Sequence, residues 1–107
     1  MFLYEYQLSR GNEITKHIIE VDEKPNTYKV KGRHSSLAYR SVFQKAEEGT
    51  ILSNYDMTLY LDEDNDERAR KIMMDAVETE IDNFKATLTA KEDKLKQISV
   101  AKVIETI

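Results

Sequence analysis

The chain has 107 residues, of which 40% are hydrophobic and 34% charged, and it contains no cysteine. This length favours a single domain that buries roughly two thirds of its unfolded surface in one modest core. The lack of cysteine excludes disulfides, thiolate metal sites and thiol nucleophiles. It also argues against a small disulfide-stabilised secreted protein.

The net charge is −4, and it is unevenly distributed along the chain. Residues 1–61 carry eight basic and eight acidic side chains, whereas residues 62–107 carry eight basic and twelve acidic ones. This distribution excludes a generally basic nucleic-acid-binding protein. The surplus of four acids is also too small to indicate a mimic of DNA.

The beginning of the chain shows no targeting signal. Met1–Glu5 lacks a cationic region followed by an apolar run, so we expect no signal peptide. No apolar segment approaches the roughly 18 residues that a membrane-spanning helix requires. The expected location is therefore the cytoplasm, with no membrane partner.

The first 61 residues show the alternation and the turn residues of a small sheet. The clearest alternation lies at the start, where every second residue is large and apolar: Phe2, Tyr4, Tyr6 and Leu8. It predicts a first strand with one buried face, followed by turn residues at 10–12. Further strands are predicted at residues 13–21, 28–30, 39–45 and 57–61, with candidates for a bulge at 18–19 and a short extra strand at 50–52.

Short connections between these strands predict an antiparallel meander over residues 1–61. Such a sheet commonly has one buried face that another element covers. Residues 64–107 are expected to be mainly helical and to supply that cover. The predicted fold class is therefore α+β, with an antiparallel β-meander of about five strands covered by one long C-terminal helix in a single domain, 1–107.

The predicted helix contains no glycine or proline after residue 63. Acids at residues 62–67 suit the positive end of its dipole, and Asp64 or Asn65 can cap it. Apolar residues then recur at alternating steps of three and four, with one gap at Lys91: Met74, Val77, Ile81, Phe84, Leu88, Leu95 and Ile98. This spacing predicts a helical stripe whose first half belongs to the core.

The helix is expected to be too long for its sheet. From residue 64 to residue 98 a straight helix spans about 50 Å, whereas strands of five to eight residues span about 17–27 Å. Either the helix breaks near residues 87–89 and folds back, as the capping box Thr89–Glu92 indicates, or it continues and packs against another chain. The tail after residue 99 either extends the helix or forms a short strand.

No catalytic, cofactor or metal site emerges from the acidic residues that precede the helix. Asp62, Asp64 and Asp66 match the first three ligand positions of a calcium loop. Glu67 then stands where that loop needs glycine, and Met73 stands where it needs glutamate. We attribute these acids to their favourable interaction with the positive end of the helix dipole, and we expect no bound metal.

The histidines and glycines do not indicate catalysis either. His34 lies directly beside Ser35 and Ser36, a spacing that seldom gives the geometry of a nucleophilic triad. His17 lies within a predicted strand, and three scattered glycines cannot form a phosphate-binding loop. The sequence therefore predicts a protein that is not an enzyme and needs no cofactor.

Residues 26–46 form the most distinctive polar segment, because they contain cations and aromatics but no acid. Such side chains can bind phosphates and stack bases. The candidate anion site, called the basic strip, comprises Tyr28, Lys29, Lys31, Arg33, His34, Tyr39, Arg40 and Lys45. The alternatives are contact with an acidic protein, or a solvated sheet face whose aromatics are core and whose cations face the acidic helix start.

The second half of the helical stripe is the candidate partner interface. It comprises Phe84, Leu88, Lys91, Leu95 and Ile98. If the helix continues, these side chains require another chain to cover them, and the simplest partner is a second copy. The sequence therefore predicts a homo-oligomer, with a dimer as the expected state.

Two segments carry a resemblance to a known group of proteins. Glu23–Tyr28, and Tyr60–Asn65 followed by a charged helix, resemble short uncharacterised proteins encoded by phages and prophages of Gram-positive bacteria. The resemblance covers most of the chain in layout and implies no catalytic residue. Small phage proteins often bind host proteins, and some inhibit host defence, so it implies a host protein as partner and the host cytoplasm as location.

These observations lead to two functional hypotheses. The first is a non-enzymatic protein-binding module, an inhibitor of a host defence protein if it is phage-encoded, that self-associates through the long helix. The alternative is a sponge or sensor that binds an anionic nucleotide or nucleic acid through the basic strip.

Overall fold

A computed structural model describes residues 1–9, 12–32, 40–53 and 57–107. The elements found in these ranges are β1 (Phe2–Ser9), β2 (Glu13–Glu23), β3 (Thr27–Val30), β4 (Val42–Gln44), the 3₁₀ turn η1 (Lys45–Glu47), β5 (Thr58–Leu61) and α1 (Asp66–Val100). The predicted α+β class, an antiparallel sheet of about five strands with one long C-terminal helix, is confirmed. The chain falls into two compact units, Met1–Asp75 and Ala76–Ile107.

The five strands form one sheet with the order β4-β3-β2-β1-β5, and every neighbouring pair is antiparallel. The first four strands follow one another as a meander. The fifth crosses to the opposite side and pairs with β1, where Tyr6 faces Leu59. The β1–β2 ladder pairs eight residues in one continuous register, so the bulge considered at residues 18–19 is not present.

The sheet curls so that its two edge strands meet. Phe43 on β4 and Tyr60 on β5 form an edge-to-face ring pair with centroids 4.8 Å apart, and the Tyr60 hydroxyl donates a hydrogen bond to the carbonyl of Gln44. The main core lies inside this curl: Leu3, Ile19, Val21, Tyr28, Phe43 and Tyr60. An aromatic pair of this kind contributes about 0.5–1.5 kcal/mol beyond its area burial. Because its two edge strands meet, the curled sheet covers much of its own inner face.

The beginning of the helix is linked to the outer face of the sheet at β1. Tyr6, Leu59 and Leu61 are buried. The alternation of side chains places them on the other face of the sheet from the core residues of the same strands. The Tyr6 hydroxyl bonds to the first turn of α1. We infer that the two buried helical residues, Ala69 and Met73, close this outer face.

The helix begins at a capped N-terminus. The Asn65 side-chain oxygen accepts a hydrogen bond of 3.0 Å from the backbone N–H of Arg68, which is the geometry of an N-cap residue. Asn65 is one of the two caps that the sequence predicts. The acids Asp66 and Glu67 occupy the first turn, where they favour the positive end of the helix dipole.

The helix then continues through residues 87–89 without a break. The Thr87 hydroxyl donates a hydrogen bond of 3.0 Å to the carbonyl of Asn83 within the helix, so the alternative of a second helix capped at Thr89 is wrong. Residues 101–107 form neither the helical extension nor the strand considered for them. None of the described helices is both long and apolar enough to cross a membrane.

The expected core position of the first part of the stripe is wrong. Met74, Val77 and Ile81 are 56%, 42% and 45% exposed. The buried residues Ala69 and Met73 lie on a neighbouring face of the helix. Ala69 is small, so a pattern of large apolar residues alone does not reveal this face.

The predicted short strand at residues 50–52 is also wrong. The backbone N–H of Leu52 donates one hydrogen bond of 2.8 Å to the carbonyl of Thr58, and Ser53 forms one isolated bridge with Thr58. A single bridge does not make a ladder, so residues 50–52 do not form a strand. Residues 10 and 11 of the predicted first turn, and residue 54, lie outside the described residues.

Candidate protein-binding surface

The second unit presents an apolar surface along one face of α1. We call this surface the exposed stripe and define it as Val77, Ile81, Phe84, Leu88, Lys91, Leu95 and Ile98. Phe84 is 73% exposed, and Leu88, Leu95 and Ile98 are 58%, 68% and 67% exposed. Every residue from Val77 to Ile107 is exposed. The predicted interface residues Phe84, Leu88, Lys91, Leu95 and Ile98 therefore lie together on one accessible helix face.

The exposed stripe follows the heptad spacing of a helix that packs against another helix. One set of positions holds Ile81, Leu88 and Leu95, and the other holds Val77, Phe84, Lys91 and Ile98. Side chains at such positions normally insert as knobs into holes on a facing helix. The stripe thus has the form of one half of a coiled-coil seam, with Lys91 as its single charged member.

The basic strip is neutralised, in part, by acids of the neighbouring strand. The Lys31 ammonium lies 3.3 Å from Asp22 and 3.7 Å from Glu20, both on β2. The pKa of Lys31 is raised, mainly because it donates a hydrogen bond to Asp22. This cation is therefore already engaged with two carboxylates on the surface of the sheet.

Two further cations of the basic strip are paired in the same way. The Lys45 ammonium lies 2.7 Å from Glu23 and 5.3 Å from the centre of the Tyr28 ring. Its hydrogen bond lowers the pKa of Glu23. Arg40 lies 3.2 Å from Glu47 of η1. Tyr28 itself belongs to the core, where burial raises its pKa, so its ring is not available for stacking on a base.

Of the remaining members of the basic strip, the structure describes only Lys29. Lys29 is exposed. Arg33, His34 and Tyr39 lie outside the described residues. Among the described members, Tyr28 lies in the core and Lys31, Arg40 and Lys45 pair with acids of β2 and η1 instead of the helix start.

A cluster of polar side chains joins the helix start to the outer face of the sheet. The Lys16 ammonium on β2 lies 2.8 Å from Asp64 and 3.0 Å from Asp66. The Tyr6 hydroxyl donates a hydrogen bond of 2.9 Å to the same Asp66 oxygen. A cleft of about 200 Å³ opens here, lined by Tyr6, Ile14, Lys16, Asp66 and Arg70.

The pKa values of this cluster follow from its hydrogen bonds. The pKa of Lys16 is raised by its bonds to Asp64 and Asp66, and the pKa of Asp66 is lowered by Lys16 and then by Tyr6. Burial, followed by the hydrogen bond to Asp66, raises the pKa of Tyr6 to about 12. These groups satisfy one another, so the cluster acts as a clamp between sheet and helix.

The sequence does not predict this clamp. Its local pattern indicates a capping role for Asp64, and both aspartates match ligand positions of a calcium loop. Lys16 lies 48 and 50 residues away from Asp64 and Asp66, so no local spacing reveals the contact. Among the described residues, no group of three or more acidic or histidine side chains is arranged to hold a metal ion.

A second ion cluster lies beside the same helix turn. The Arg68 guanidinium is 3.1 Å from Glu48 and 3.2 Å from Glu63. Gly49, with a φ of +77°, lies directly against it, because a Cβ atom there would be 2.9 Å from the guanidinium. The left-handed backbone favours glycine at this position.

A carboxylate and an imidazole face the inside of the curled sheet. Glu5 is fully buried, and its Oε1 lies 3.8 Å from His17 Nδ1 on the paired strand. The alternation of β1 marks Glu5 as a polar position, yet the curl encloses it. Glu5 is therefore enclosed while His17 remains partly exposed, and the exposed stripe is the larger accessible surface.

No protein-family model, no curated protein and no solved structure matches this chain.

Proposed function

We propose that the chain is a non-enzymatic protein-binding module that self-associates as a dimer through the exposed stripe. A single observation carries the proposal. The helix runs from Asp66 to Val100 without interruption, and every apolar residue of its heptad pattern is exposed.

The physical argument concerns the stability of such a helix. Most helical stability in proteins comes from packing an apolar face, since isolated helices are marginal in water. Full burial of one Val, Leu, Ile or Phe side chain is worth about 1.5–3 kcal/mol. A second helix with the same stripe would bury six apolar side chains from each copy, and this gain supports dimerisation.

A host protein is the other partner that this surface suits, as the resemblance to phage proteins implies. A groove that accepts an amphipathic helix uses anchors at the same three- and four-residue spacing. Inhibition of a host defence protein would therefore use the same stripe. The anion-binding alternative receives less support, because Lys31, Arg40 and Lys45 are already paired with acids.

The test measures molar mass in solution by light scattering or sedimentation across a concentration series. We expect the native chain to approach the mass of a dimer as concentration rises. Leu88→Glu places a charge in the stripe and should shift the chain towards the monomer at every concentration. Ala86→Glu introduces the same charge on the opposite side of the helix and should leave the dimer intact.

The outcomes separate the partners. A native chain that stays monomeric at the highest concentration contradicts self-association. Equal loss of dimer in both variants would show that added charge, and not the stripe, decides the result. If the native chain is monomeric, a host protein that it captures, and that Leu88→Glu alone fails to capture, would identify the stripe as a surface for a different partner.

A further inference from the structure

We propose that two copies of α1 pair in antiparallel orientation about a two-fold axis that crosses the exposed stripe at the level of residue 86. This inference rests on the self-association proposed above and specifies its geometry. In the pair, each residue of the exposed stripe faces a different residue of the second copy. Phe84 faces Leu88, Ile81 faces Lys91, and Val77 faces Leu95.

The spacing of the stripe permits this register. From Val77 to Leu95 the steps are four, three, four, three and four, the same in both directions along the chain. An antiparallel pair therefore places every stripe residue from Val77 to Leu95 level with a stripe residue of the other copy. The same arithmetic places Ile98 opposite Met74, which is also exposed.

Lys91 discriminates between the two orientations. A parallel pair in register would place Lys91 directly against its own copy inside the seam, where like charges repel. The antiparallel pair places each Lys91 beside Ile81 and separates the two ammonium groups by about 15 Å along the axis. The lysine stem can then pack on Ile81 while its charge reaches solvent.

The charges that flank the stripe favour the same orientation. Residues 74–86 carry four acids and one base, whereas residues 87–98 carry three bases and two acids. A parallel pair would place the two acidic halves side by side. An antiparallel pair sets the acidic half of each helix against the more basic half of the other, which is electrostatically complementary.

Disulfide crosslinking tests the register, and the native chain contains no cysteine that could interfere. Val77→Cys and Leu95→Cys are prepared separately, mixed, allowed to exchange subunits and oxidised. Two cysteines crosslink only when their Cα atoms lie within about 7 Å, and residues 77 and 95 are about 27 Å apart along one helix. We expect crosslinked dimer in the mixture and none from either variant alone.

Ala86→Cys mixed with Val77→Cys is the matched control, because residue 86 lies on the opposite side of the helix. A second pair, Ile81→Cys with Lys91→Cys, probes the same register and also removes a charge from the seam. It keeps the test informative if the first pair weakens association. The molar mass of each variant is measured under reducing conditions before oxidation.

Each outcome bears on one proposal or on both. Crosslinking in the two mixtures alone supports the antiparallel pair. Crosslinking of each variant with itself would show a parallel pair and overturn this inference, while self-association would stand. A dimer that crosslinks in neither mixture would also overturn it. A native chain that is monomeric by mass would overturn both proposals.

Discussion

The hydroxyl of Tyr6 on β1 donates a hydrogen bond of 2.9 Å to Asp66 in the first turn of α1. The two residues are 60 positions apart in the chain. The bond connects the outer face of the sheet to the beginning of the helix, and the Lys16 ammonium completes it at 3.0 Å from the same carboxylate oxygen. The stability of this connection can be measured directly.

Tyr6→Phe should lower the free energy of unfolding by about 1 kcal/mol, because it removes a hydrogen bond to a charged acceptor and keeps the ring. The value lies below the upper range for such bonds because the Asp66 side chain is 64% exposed and solvent weakens the interaction. Urea denaturation measures the change. Tyr4→Phe on the same strand is the control, and an equal loss in both variants would contradict a specific role for the Tyr6 hydroxyl.

The environment of the Tyr6 hydroxyl, through burial first and the hydrogen bond to Asp66 second, predicts a dependence of stability on pH. Folding raises the pKa of Tyr6 from its ordinary value of 10.0 to about 12. A group with a raised pKa contributes stability that is complete below the unfolded pKa and is lost as pH rises through the folded one. The difference in unfolding free energy between the native chain and Tyr6→Phe should therefore shrink between pH 10 and pH 12.

Urea denaturation of both chains at several values across that range provides the measurement. The comparison with Tyr6→Phe is needed because burial also raises the pKa of Tyr60 to about 12, and both chains share that contribution. A difference that stays constant across the range would show that ionisation of Tyr6 is not linked to unfolding.

The sheet and the helix could be predicted because their signals are local. Period-two alternation marks β1, and a chain segment without glycine or proline marks α1. The position of β5 beside β1 is a long-range pairing, for which the short connections of a meander offer no signal. Burial of Glu5 is hidden for the same reason, since only the curl of the whole sheet encloses that carboxylate.

The buried methionine of the helix is Met73, whereas the stripe predicts its neighbour Met74. A matched pair of variants tests which of the two methionines belongs to the core. Met73 is 6% exposed and Met74 is 56% exposed. Met73→Ala should lower the free energy of unfolding by about 2 kcal/mol, near the lower end for a buried methionine. Met74→Ala should change it by less than about 0.5 kcal/mol.

Both methionine variants are measured by urea denaturation at low protein concentration, so that self-association does not contribute. A larger loss of unfolding free energy for Met74→Ala would show that the predicted stripe, and not Met73, packs in the core. The prediction rests on the spacing of large apolar side chains. The buried face instead contains Ala69, a small residue that gives no strong hydrophobic signal. The exposed stripe could be predicted because its spacing is local and regular.

The antiparallel pair predicts that two similar substitutions in the stripe have different effects. Ile81→Glu places a carboxylate opposite Lys91 of the second copy, where it can form an ion pair, whereas Leu88→Glu places one opposite Phe84. Each removes a branched apolar side chain of similar size. The dimer of Leu88→Glu should therefore dissociate at least about tenfold more readily, a difference of about 1.4 kcal/mol.

Sedimentation equilibrium gives both dissociation constants, and added salt should weaken the Ile81→Glu dimer selectively as it screens the ion pair. Equal dissociation constants would contradict the contact between residues 81 and 91, because a parallel pair would bring the substituted glutamates of either variant against each other.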